Sequence, residues 1–145
     1  MTIFLFPIAY NASSKDVFYE YFSASGDATF CYVVSQDKMG DTSLSTENRV
    51  VKCGLYSFIY FENESIKEHN IAYKQVEIKN IDVEKICKDL SISIFKIEQF
   101  PYKIVYGYTS LFPDYIYFSG YKMNAQIVLK DDCVIVGCPA IYTGF

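Results

Sequence analysis

The chain has 145 residues, 51% hydrophobic and 21% charged, a balance that excludes a disordered tail and sits at the apolar end of globular composition. Its length fits one domain, residues 1–145, folded around one core. The net charge of −4 arises in residues 1–70, and with Arg49 as the sole arginine the chain lacks the basic stripe that a sequence-independent nucleic-acid binder needs, so direct nucleic-acid binding is not expected.

Residues 2–10 are apolar, but no Lys or Arg precedes them, Pro7 interrupts them, and they are too few to span a bilayer. They read as a buried first strand, and the chain as cytoplasmic with no membrane partner. A short helix near 14–24 is predicted next, with Ser13 or Ser14 as cap, Asp16 at its positive end, and Val17/Tyr21 and Phe18/Phe22 at four-residue spacing. Gly26 ends it. Ala28 to Ser35 is a second strand, followed by a long polar stretch, residues 36–48, of a length that favours a functional loop.

Residues 49–61 read as a strand kinked at Gly54, paired through a polar turn at Glu62 to Ser65 with a strand near 71–79. Asp82 then caps a second short helix, near 82–90, whose Val83, Ile86, Cys87 and Leu90 form an apolar stripe. From residue 91 onward the sequence predicts strands at 92–98, 102–109, 115–119, 125–130 and 133–138, separated by turn signals such as Phe112-Pro113-Asp114, Gly120 and Asp131-Asp132. The fold class that follows is α+β, a mostly antiparallel strand-rich sheet with two short helices.

Chemistry-bearing residues are few. His69 is the sole histidine, which excludes sites with two or three imidazoles, and its charged setting makes pairing with Cys53 a poor nucleophile–base candidate. Asp131-Asp132 fits a turn better than a catalytic carboxylate pair, and no phosphate loop, Gly-x-Ser-x-Gly elbow or Cys-x-x-Cys occurs. The five cysteines are widely spaced with apolar neighbours, as expected of structural free thiols. Neither an enzyme nor a cofactor or metal is expected.

What remains is recognition. There are 14 Tyr and 12 Phe, and a phenol has an apolar body with a polar tip, so tyrosines beyond the needs of the core suit an interface. Asp37, Asp41 and Glu47 in the polar stretch, with Glu62, Glu64 and Glu68 around the expected hairpin tip, suit a basic protein partner. Tyr106, Tyr108, Tyr115 and Tyr117 are the candidate aromatic anchors.

In overall character, including the acidic stretches at Asp37 to Glu47 and Glu62 to Glu68, the chain resembles the immunity proteins of contact-dependent growth inhibition and related interbacterial toxin systems. That resemblance implies a tight one-to-one complex with a cognate toxin domain, often a nuclease with a basic cleft, by occlusion of the cleft or by binding beside it. A viral or phage accessory protein that binds a host factor, or a small-molecule-binding domain with a Tyr-lined pocket, are the competing readings.

Overall fold

The computed structural model describes residues 16–35, 49–62, 71–99 and 101–142. Within them lie two helices, α1 (Val17–Ser23) and α2 (Val83–Asp89). The strands are β1 (Ala28–Ser35), β2 (Arg49–Cys53), β3 (Tyr56–Phe61), β4 (Ile71–Ile78), β5 (Ser93–Glu98), β6 (Lys103–Tyr108), β7 (Ile116–Phe118), β8 (Tyr121–Met123), β9 (Ala125–Leu129) and β10 (Val134–Cys138). Eight of them form one antiparallel sheet in the order β2-β3-β1-β4-β10-β9-β6-β5, while β7 and β8 pair as a separate hairpin. The fold is α+β, as the sequence predicts.

Helix α1 is shorter than predicted because Asp16, not Ser13 or Ser14, is its cap. The Asp16 backbone is extended, and its carboxylate accepts from the Tyr19 N–H at 3.1 Å. The same carboxylate accepts from the Tyr32 hydroxyl at 2.6 Å and from Lys74 Nζ at 3.0 Å, which ties the helix start to β1 and β4. Phe18 and Phe22, four residues apart, are fully buried, and each contributes roughly 2–3 kcal/mol of burial. Gly26, at φ +99°, turns the chain into β1. In α2, Asp82 caps the first turn, Ile86 and Leu90 are buried, and Val83 and Cys87 pack beside them.

Sheet residues alternate between two packed faces. Phe30, Tyr32, Val34, Ile59, Val76, Ile127 and Val136 join Phe18, Phe22, Ile86 and Phe112 on the helix side. Ile104, Tyr106, Val128 and Ile135 point the other way and pack with Met123, Ile116 and Phe118 of the β7–β8 hairpin and with Ala140 and Ile141 of the C-terminal tail. Both faces of β6, β9 and β10 are covered, so these strands read as continuous apolar runs. Gly137 is required where the tail returns over β10: a Cβ there would overlap the backbone of Ala140 and Ile141.

Three predicted features are corrected. Gly54 does not kink one strand. At φ +63° it forms, with Leu55, the two-residue turn between β2 and β3. Nor do residues 49–61 pair with 71–78. Strand β1, buried on both faces, lies between them and pairs with both, so Phe61 and Ile71 sit toward opposite ends of β1, across from Phe30 and Val34. Strands β3 and β4 therefore do not form a hairpin. Tyr121–Met123 is a further short strand, joined to β7 by a turn in which Ser119 (φ +52°) and Gly120 (φ +81°) both adopt the left-handed conformation that tight hairpins require. The predicted strand at residues 2–10 and the polar stretch 36–48 lie outside the described residues.

Candidate functional site

Tyrosine distribution marks the candidate surface. Among the described residues no phenylalanine is exposed, whereas Tyr115, Tyr117, Tyr121 and Tyr142 are. Three of these four lie on or beside the β7–β8 hairpin, which turns Ile116, Phe118 and Met123 toward the sheet. Tyr117, opposite Lys122 in the hairpin register, is 67% exposed.

The rings form a connected set. Tyr108 and Tyr115 have centroids 6.3 Å apart at 78°, and Tyr115 and Tyr117 are 5.7 Å apart at 89°. Tyr121 stacks on Phe95 at 4.8 Å, and Tyr106 stacks on Phe118 at 5.0 Å. Tyr106 itself is buried, with its hydroxyl donated to Glu98, so it supports the hairpin from beneath and offers no surface to a partner. Burial and Glu98 together push its phenol up to about 12.

A buried polar network fixes the base of this platform. The Asn124 side chain is fully buried; its Oδ1 accepts from the Thr109 N–H at 2.8 Å, and its Nδ2 donates to the carbonyls of Thr109 (2.7 Å) and Phe112 (3.2 Å). Thr109 Oγ1 donates to the Leu90 carbonyl at 2.6 Å and accepts from the Leu111 N–H at 3.2 Å. These bonds clamp the 109–114 turn between α2 and the hairpin, so Tyr108 and Tyr115, at its two ends, are held by the interior.

Of the acidic candidates, Asp37, Asp41, Glu47, Glu64 and Glu68 lie outside the described residues, as do His69 and the side chain of Cys53. Glu62 is exposed and lines a polar concavity of about 420 Å³ with Asp27, Thr29, Glu77 and Lys79, at the end of the sheet where β1 begins. That concavity does not adjoin the tyrosines. Five strand spacings separate β3 from β6, about 24 Å, and Tyr108 lies toward the other end of the sheet. Glu62 and the hairpin tyrosines therefore do not share one patch.

A second concavity, about 380 Å³ and mainly apolar, lies between α2 and the edge strand β5, lined by Ile81, Val83, Cys87, Ile94, Ile97 and Leu129 among others. Cys87, Cys133 and Cys138 are free thiols, with Cys87 only half-buried. Burial pushes the Cys138 thiol up to about 12, and it raises those of Cys87 and Cys133, so none of the three is an activated nucleophile. Cys133 and Cys138 belong to opposite faces, as their spacing on an extended strand predicts. Among the described residues no group of three His, Cys, Asp or Glu side chains is placed to hold a metal, and no helix is long and apolar enough to cross a membrane.

Tyr121, Lys122, Asn124 and Thr109 were missed by sequence reasoning. A Ser-Gly pair between two alternating aromatic segments was the available signal for the hairpin, while the Asn124 network had none. Comparison with protein-family models, curated proteins and solved structures found no match.

Proposed function

We propose that this chain is a non-catalytic binding protein that neutralises a basic toxin domain of the nuclease kind by forming a tight one-to-one complex. The observation that carries this reading is the set of exposed tyrosines on a hairpin whose base is clamped by the Asn124–Thr109 network. Rigid aromatic side chains lose little conformational entropy on binding and are enriched among the residues that dominate interface energies. The net charge of −4 supports a basic partner. So does the Asp27, Glu62, Glu77 concavity, because long-range attraction accelerates encounter without adjoining the anchor.

Purification of the chain with its bound protein from source cells, followed by binding measurements on a Tyr115→Ser/Tyr117→Ser variant, tests the proposal. The variant is expected to fold normally and to lose at least about tenfold in affinity, as removal of hot-spot aromatics does. Charge reversal at Asp27, Glu62 and Glu77 is expected to slow association and reduce its salt dependence while leaving dissociation nearly unchanged. Wild-type affinity in the folded tyrosine variant, or an acidic bound protein, overturns the reading.

A further inference from the structure

The Tyr115 ring stands nearly perpendicular to the rings of Tyr108 and Tyr117, so the three form an open corner. The ammonium of Lys122 sits over it, with Nζ 4.7 Å from the centroid of Tyr115 and 6.0 Å from that of Tyr108. Other lysines over rings are held differently. Lys74, over Tyr32, is paired to Asp16, and Lys96, over Tyr106 and Phe118, is paired to Glu98 at 3.6 Å. Lys130 lies over Tyr102 alone. Lys122 combines two ring contacts with an exposed side chain and belongs to none of the ion pairs found among the described residues.

An exposed cation over a ring gains only about 0.5–1 kcal/mol, so Lys122 is lightly held and its displacement costs little. A guanidinium suits the same corner better. It is planar, more weakly hydrated than an ammonium, able to stack on one phenol face and to donate to nearby hydroxyl oxygens. We infer that the Tyr108–Tyr115–Tyr117 corner receives an arginine side chain of the partner, and that Lys122 is a placeholder that swings out when the arginine arrives. This rests on the basic-protein reading proposed above.

Two measurements on the full chain test the inference, and the first needs no partner. N-acetyl-arginine amide is titrated against wild-type protein and Lys122→Met, with the ring resonances of Tyr108, Tyr115 and Tyr117 as the signal and the uncharged N-acetyl-citrulline amide as control. Saturable shifts are expected with the arginine derivative only, at about two- to fivefold lower concentration in Lys122→Met, where the resident competitor is gone. Equal shifts with citrulline, or none in a folded Lys122→Met, overturn the site. The second compares complex formation by wild type and Lys122→Met. A gain of about two- to fivefold supports delivery of the arginine by the partner. Weaker binding shows that Lys122 meets a carboxylate and overturns the inference, while unchanged binding with a positive titration shows that the corner takes free organic cations and overturns the partner's role. Failure of the first measurement leaves the basic-partner reading standing, since that is tested at Tyr115, Tyr117 and the carboxylates.

Discussion

The two faces of the sheet use the same kinds of residue to opposite ends. On the helix side, α1 and α2 pack against the sheet, and the aromatic side chains of the buried core are chiefly phenylalanines with no polar atom to satisfy: Phe18, Phe22, Phe30, Phe61 and Phe112. Tyr32 is the fully buried tyrosine there, and its hydroxyl is held by Asp16; burial, together with that carboxylate, raises its phenol far above the ordinary value. Among the described residues the other side is covered by a hairpin of two three-residue strands and a short tail, and it carries the exposed Tyr115, Tyr117 and Tyr121. Tyr106 is buried there with its hydroxyl on Glu98, while Tyr115, Tyr117 and Tyr121 stay exposed with their rings in contact with other aromatic rings. The lesson is that the phenol oxygen sorts Tyr from Phe: it is admitted to the interior where a carboxylate waits, at Tyr32 and Tyr106, and is otherwise left at the surface.

Substitutions can break this contrast in graded steps. The largest loss is expected from Gly137→Ala, which forces the tail off β10 and opens the hairpin face; overpacking against backbone should cost about 3–4 kcal/mol in urea unfolding. Asn124→Ala strands the Thr109 N–H and two carbonyls and should cost about 2–3 kcal/mol, with faster proteolysis in the 109–123 region if the hairpin depends on that clamp. A paired comparison sharpens the rule for phenols. Tyr32→Phe removes a buried bond to a carboxylate and should cost about 2 kcal/mol, whereas Tyr117→Phe should stay within about 0.5 kcal/mol of wild type. Equal effects from the two would show that the hydroxyl does not decide where tyrosine sits.

Much of this arrangement was legible where local rules act alone. The α2 stripe, the Asp82 cap, the Gly26 stop and the Asp131-Asp132 turn depend on residues close in sequence, and all appear as read. Placement of β1 between β3 and β4 was not legible, because it depends on which strand is buried on both faces, and an apolar run does not say what covers it. The same ambiguity hid Tyr106. In Ile104-Val105-Tyr106 every residue is buried, so alternation carries no sign of which neighbours face water. The sequence marks Tyr108, Tyr115 and Tyr117 only as tyrosines in short strands. What makes them a site is the turn clamped by Asn124, a contact spanning α2 and two hairpin ends that no local pattern encodes.

The sheet order has a kinetic consequence. Strands β2, β3, β1 and β4 form one contiguous half of the ladder, and β10, β9, β6 and β5 form the other; β2–β3, β5–β6 and β9–β10 pair consecutive strands, whereas β1 meets β4 with β2 and β3 in the intervening chain, Ala28 opposite Ile78. Only the β4–β10 seam, from Val134 opposite Ile78 to Cys138 opposite Lys74, joins them, with α2 and β5 to β9 in the intervening chain. Closing the loops behind the β1–β4 and β4–β10 pairings is the entropically costly step, repaid only once those ladders have registered. Refolding should therefore be limited by registration of β4 between β1 and β10, and destabilising changes on β4 should slow it more than changes of equal size at either edge strand.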